Sequence, residues 1–241
     1  MNKVPYYRNE NVARRFDRDT YGRRFGRYLE DLEASIFLPL VDPVSTTVLD
    51  LGAGTGKLTI PLLLESKGVI ASDTSSEMLG VAKVKANDLG LEIKAVVCDA
   101  RQLSFKDGTF DCVVSSRTLM HLGDWRKGLQ EICRVSSREL VIDFPSIFSF
   151  ASADILLKRL IKLFLPETRV YNIISMREAS EEIRKNGFQA IHAEKQFFMP
   201  LAFHRWVNHP AISIKIEEIF RILHITNLFG NPIVMKAVKN V

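Results

Sequence analysis

The residues with most chemical potential form one short run, Val48-Leu49-Asp50-Leu51-Gly52-Ala53-Gly54-Thr55-Gly56-Lys57, in which a carboxylate precedes three alternating glycines. Glycine at Gly52, Gly54 and Gly56 lets the backbone turn tightly and approach a ligand where any Cβ would collide. The free N–H groups opening the next helix, about Lys57 to Leu64, would face the same ligand. Spacing alone leaves the nucleotide open. A dinucleotide site wants G-x-G-x-x-G and a phosphate loop wants G-x-x-x-x-G-K-[ST], and neither pattern is present. Asp50, two residues before the first glycine, suits a ligand end that carries a cation or a free amine.

Two further acids fall where a nucleoside needs them. Asp73 closes the second apolar run, 17 residues after Gly56, where a carboxylate can bridge two ribose hydroxyls. Asp99, followed by Ala100, closes the third and can meet an exocyclic amine. Singly, an aspartate at a strand end often caps the following helix; at successive strand ends the three acids together favour a ligand. His121, just beyond the fourth run, is the nearest candidate for a general base. His204 and His209 lie in an aromatic stretch and read as packed residues.

These residues need a frame. Strands are expected at Thr47–Leu51, Val69–Ser72, Ile93–Cys98, Phe110–Ser115 and Glu139–Phe144, with helices between them at Lys57–Leu64, Ser76–Leu89 and Asp124–Val135. Short unbroken apolar strands alternating with helices imply a doubly wound α/β sheet, mostly parallel and covered on both faces, with the ligand at the carboxyl ends of the strands. The chain would divide into a basic helical arm over 1–44 and a main domain over 45–241, with helical and aromatic cap segments at 146–175 and 199–230. In the arm, a helix from Thr20 to Leu38 is expected from the stripe Tyr21, Phe25, Tyr28, Leu29, Leu32 and Ile36. Later elements are a helix at Ala153–Leu165, a helix at Met176–Asn186 capped by Gly187, and strands at Phe188–Phe198 and Ile233–Val238.

Four linked motifs now narrow the ligand. The first is Val48 to Gly56; then come Ser72-Asp73-Thr74-Ser75-Ser76-Glu77-Met78-Leu79, Cys98-Asp99-Ala100 and Phe110-Asp111-Cys112-Val113-Val114-Ser115. Over about residues 45–144 the chain closely resembles the class I S-adenosylmethionine-dependent methyltransferases, within the type 11 group that includes the ubiquinone and menaquinone biosynthesis methyltransferases. The resemblance implies a seven-stranded Rossmann-like sheet in the order 3-2-1-4-5-7-6, the seventh strand antiparallel. It also implies S-adenosylmethionine as cofactor. Gly52, Ala53, Gly54 and Gly56 would approach its methionine moiety and Asp50 its amino group. Asp73, with Thr74 beside it, would take the ribose hydroxyls; Met78 would pack on the adenine, and Asp99 with Ala100 would face the adenine amine. Ser115 and Ser116 would border the methyl, and Tyr21 would close over the cofactor from the arm. One departure is visible: the usual Leu-x-Pro-Gly-Gly turn after Arg134-Val135 is replaced by Ser136, Ser137 and Arg138 leading straight into strand.

Composition limits the partners. The net charge of +5 resides in residues 1–29, with eight basic side chains against three acidic ones; the remainder is neutral, which argues against extended nucleic-acid binding. Three widely spaced cysteines read as reduced core residues of a cytoplasmic protein, with no metal site. The first residues lack the apolar core of a signal peptide, and the most apolar stretch, 147–165, carries Asp154, Lys158, Arg159 and Lys162. The acceptor is expected to be a small molecule, hydrophobic or aromatic, because the cap offers Met199, Leu201, Phe203 and Trp206 beside the methyl site. The basic helices at 20–38 and 153–165 could also touch an anionic membrane peripherally. An RNA or protein acceptor, or a non-catalytic cofactor-binding role, are the alternatives; the motif that usually marks amino-group acceptors is replaced by Ser115-Ser116-Arg117-Thr118. Oligomeric state is not readable.

Overall fold

The computed structural model describes residues 9–149 and 171–240, the side chain of Tyr21 excepted. The expected helix at 153–165 lies outside the described residues. Seven strands, β1 (Thr47–Leu51), β2 (Gly68–Asp73), β3 (Lys94–Val97), β4 (Phe110–Ser115), β5 (Ser136–Phe144), β6 (Phe188–Phe197) and β7 (Asn231–Lys239), form one sheet in the order β3-β2-β1-β4-β5-β7-β6. The first five pair in parallel; β7 runs antiparallel to both β5 and β6. This is the expected topology, and it puts the ends of β1, β2 and β4 on one edge.

Alternation along the strands divides the core. Leu49, Leu51, Val113, Leu140 and Ile142 pack against one layer of helices. Val48, Cys112, Val114 and Val141 pack against Phe37, Leu58 and Leu62 on the other side. Both faces of β1, β4 and β5 are buried, so these central strands read as unbroken apolar runs instead of alternating ones. Helices α3 (Thr59–Leu64), α4 (Ser76–Asn87), α5 (Trp125–Val135) and α6 (Met176–Lys185) are the crossovers. Their starts are encoded locally: Ser75 caps α4 by accepting from Met78 N–H, Asp124 caps α5, and Ser175 with Glu178 makes a capping box on α6. No residue separates α5 from β5, which matches the missing turn after Arg134-Val135. Arg134 secures that junction through Glu131, Asp107 and the carbonyls of Leu103 and Phe105.

The arm differs from expectation. It consists of two helices, α1 (Glu10–Tyr21) and α2 (Arg24–Phe37), broken at Gly22 and Arg23. A single helix from Thr20 could not serve both surfaces that these pieces cover. The α1 helix lies over α4, while α2 buries Phe25 and Leu29 against Phe197. The aromatic insertion is likewise helical: α7 (Leu201–Val207), α8 (Pro210–Ile222) and α9 (Ile225–Phe229) lead into β7. Cys98, Cys112 and Cys133 are free thiols.

Candidate functional site

Beyond the carboxyl ends of β1, β2 and β4 a cavity of about 790 Å³ opens, walled further by α1, by the 3₁₀ turn Leu119–His121 and by α7. That size is in the range of small-molecule sites. The glycine loop forms its floor. Gly52 (φ +76°) and Gly54 (φ +55°) are left-handed, and a Cβ on Gly52 would fall 1.9 Å from Thr118 Oγ1. The Gly52 and Ala53 N–H groups both donate to Ser72 O, at 2.7 and 3.0 Å, which fixes the loop across β2.

The three expected acids all reach the cavity wall, each in a different state. Asp50 is buried and accepts from Thr59 Oγ1 at 2.6 Å; burial, with the Asp73 charge adding to it, pushes its carboxyl up to about 7. Asp73 holds the loop from β2, accepting Gly54 N–H on Oδ2 and Ser75 N–H on Oδ1, both at 2.9 Å, and burial raises its pKa. Acceptor capacity remains on Oδ2. Asp99 is engaged by Arg101 through Oδ1 at 3.0 Å and Oδ2 at 2.6 Å, and this partner holds its carboxyl below the usual range. Ala53, Thr74, Met78 and Ala100 also line the wall, as does His121, whose ring lies 5.2 Å from that of Tyr171.

Two expected residues are elsewhere. Ser115 turns its hydroxyl into the sheet, donating to Leu51 O at 3.0 Å, so Ser116 supplies the wall at the end of β4. Gly56 (φ +84°) faces α4: its Cβ would sit 3.0 Å from that of Ala82, and its small size serves helix packing. The side chain of Tyr21 lies outside the described residues. His204 is fully buried, joined to Glu217 at 2.8 Å and stacked on Phe25, so it belongs to the packing of the cap and not to the cavity.

A second group of charges was not anticipated. Glu33 of α2 lies behind the wall residues Lys57 and Arg117 and pairs with both. Burial and the Arg117 charge lower the Lys57 pKa well below its ordinary value. Asp143, at the end of β5, accepts from Arg117 N–H at 2.5 Å and is pushed up by burial, with Arg117 and Lys57 opposing. The signal for Glu33 was present: Phe25, Leu29, Glu33 and Phe37 are spaced by four, a row that faces inward.

Comparison with known proteins decides the family. Residues 48–139 match a model described as a methyltransferase domain. The ubiquinone/menaquinone biosynthesis C-methyltransferase UbiE of Pasteurella multocida is 33% identical over 190 residues, covering 72% of this chain and 68% of that protein. The chain belongs to the class I S-adenosylmethionine-dependent methyltransferases. A demethylmenaquinone methyltransferase of Thermus thermophilus is 33% identical over 139 residues, 56% of this chain, and the match spans 63% of that relative's length. The fold is shared with magnesium protoporphyrin IX methyltransferase from Synechocystis solved with bound S-adenosylmethionine (TM-score 0.65, 18% identity, covering 100% of this chain and 98% of that one). The cofactor of this family fits the cradle described above. Glycine backbone lies open beside Asp50, and Gly54 has nothing nearer its Cβ position than Gly52 O at 4.0 Å.

Proposed function

We propose that this enzyme methylates a small hydrophobic or aromatic acceptor held in the half of the cavity away from the glycine loop. The observation that supports this is the part of the lining not taken up by the glycine loop and the three acids, which includes Met120, Pro145, Tyr171, Leu201 and Pro232 alongside His121, Arg205 and Asn231. Apolar walls with a few polar groups suit a lipophilic molecule that must be oriented. The name of one relative, demethylmenaquinone methyltransferase, gives an acceptor of that kind, and that of another places it in ubiquinone and menaquinone biosynthesis.

The cofactor, when bound, supplies an electrophilic sulfonium methyl that is displaced in line. The protein's work is therefore alignment and exclusion of water. Asp50 would set the amino group of the methionine moiety, Asp73 and Thr74 the ribose, and Met78, Asp99 and Ala100 the adenine. Gly52, Ala53 and Gly54 would admit the methionine chain. From the arm, α1 covers the cavity with Val12, Phe16 and Thr20, and Tyr21 at its end is the candidate to close over the cofactor. His121, which lines the cavity, would take a proton from an acceptor hydroxyl or acidic carbon.

Incubating the enzyme with S-adenosylmethionine and matched lipophilic and polar acceptors, and measuring S-adenosylhomocysteine, tests the reading. Turnover with quinols or phenols bearing apolar substituents is expected. Turnover confined to polar metabolites would overturn it.

A further inference from the structure

We infer that Lys57 and Arg117 form the subsite for a carboxylate carried by the methyl acceptor. The inference rests on the small-molecule reading above and adds the acceptor's charge to it. Both cations line the cavity, whereas Glu33, the acid that pairs with each, lies behind them. The group therefore runs from acid inside to cation at the cavity surface, and the surface it presents attracts an anion. Two cations share this one acid. Their side chains are 11% and 24% exposed, so little water screens them from each other. That repulsion adds to burial in lowering the Lys57 pKa, and an anion entering from the cavity relieves it.

Position in the sheet separates this anion from the cofactor. In the order β3-β2-β1-β4-β5-β7-β6, the acids proposed for the nucleoside stand at the ends of β2 and β3, and Asp50 stands on β1. Arg117 follows β4 and Asp143 lies on β5, beyond β1 on the opposite side, where Pro145 and Pro232 of the acceptor's lining also lie. Arg117 is held there with φ at +54°, a left-handed value uncommon for a residue with a side chain, while its N–H donates to Asp143 Oδ1. A guanidinium carries more donors than one carboxylate can take, so Arg117 can serve Glu33 and a ligand together. Asp143 itself does not oppose an anion: burial raises its pKa and favours the neutral carboxyl, which donates. Arg101, another cation of the wall, is already held by both oxygens of Asp99.

Calorimetric titration of the full chain tests it, with the enzyme saturated by S-adenosylhomocysteine so that the cofactor's own carboxylate is already in place. The probes are two acid and amide pairs, naphthoate with naphthamide and gluconate with gluconamide. Naphthoate is expected to bind at least about tenfold tighter than naphthamide. Arg117→Met should remove that preference and Arg117→Lys should restore part of it. The Arg117→Met variant should keep its naphthamide affinity, S-adenosylhomocysteine affinity and melting temperature near wild type, because Lys57 and Glu33 remain as a one-to-one pair. Equal binding of acid and amide in both pairs by the wild-type enzyme would overturn the inference. So would an Arg117→Met variant that loses S-adenosylhomocysteine affinity and keeps the acid preference, which would give the cations to the cofactor's carboxylate. Acid preference confined to the gluconate pair would uphold the subsite and overturn the apolar reading of the acceptor instead.

Discussion

Thr55 Oγ1 donates to Asp17 Oδ1 at 2.6 Å, so the glycine loop is hydrogen-bonded to the helix that lies over it. The other oxygen of Asp17 takes Lys85 Nζ at 2.8 Å from α4. One carboxylate thus fastens α1 to both elements that flank the cofactor cradle. Removing it should loosen the cover without unfolding the sheet. Asp17→Ala is expected to weaken S-adenosylmethionine binding about fivefold, equivalent to ~1 kcal/mol for a partly exposed charged hydrogen bond. Calorimetric titration measures this, and an unchanged affinity would refute the role of Asp17 as a fastener.

Gly52 carries the tightest constraint in the loop. Its left-handed φ and the 1.9 Å approach of a Cβ to Thr118 Oγ1 oppose a side chain independently. Gly52→Ala should cost about 3 kcal/mol of stability and abolish cofactor binding. Gly90→Ala is the control, because Gly90 is also left-handed (φ +72°) but has nothing within 4 Å of its Cβ position. That variant should lose only about 1 kcal/mol and bind cofactor normally. Urea denaturation and titration with S-adenosylhomocysteine separate the two effects.

Asp50 makes the free enzyme sensitive to pH. Its folded-state pKa of about 7 lies above the ordinary carboxylate value of about 3.9, so folding favours its protonated form. The stability tied to this group is complete below about pH 4 and is lost as pH rises through about 7. Binding of a cationic amino group has the opposite sign, because it needs the carboxylate. Affinity for S-adenosylmethionine should therefore rise between pH 6 and 8 while the melting temperature of the free enzyme falls. Asp50→Asn should flatten both trends and weaken binding about tenfold. A pH-independent affinity in the wild-type enzyme would contradict this.

The sheet was legible because its signals are local. Unbroken apolar runs mark the buried strands, and Ser75, Asp124 and Ser175 mark helix starts within a residue or two. Asp50, Asp73 and Asp99 were readable for the same reason, since a strand end and its next residue fix where the carboxylate points. What escaped depends on contacts between distant segments. Helix α1 does carry an inward row, Val12, Ala13, Phe16, Asp17 and Thr20, but only three of these are apolar, so the row is easily passed over among its charged residues. Ser115 and Ser116 are adjacent, and only the pleat of β4 decides which of them faces the cavity. Glu33 acts through Lys57 and Arg117, partners that topology brings together.

Glu33 gives the sharpest test of that long-range layer. It compensates Lys57 and Arg117 from behind the cavity wall, and the Glu33 and Lys57 side chains are each only 11% exposed. Breaking a buried pair leaves a charge without its counterpart, at a cost of about 3 kcal/mol or more. Glu33→Ala should therefore lower stability by about 3 kcal/mol, far beyond what truncating an ordinary helix residue does. Lys57→Met alone should also destabilise, because it leaves Glu33 with Arg117 as its remaining ion-pair partner. Combined with Glu33→Ala, it should recover part of the loss, since one buried cation is removed along with the acid. Urea denaturation of the two single variants and the double variant yields the coupling energy. If the two losses simply add, Glu33 and Lys57 are not a coupled pair, and α2 is held to the sheet by its apolar residues alone.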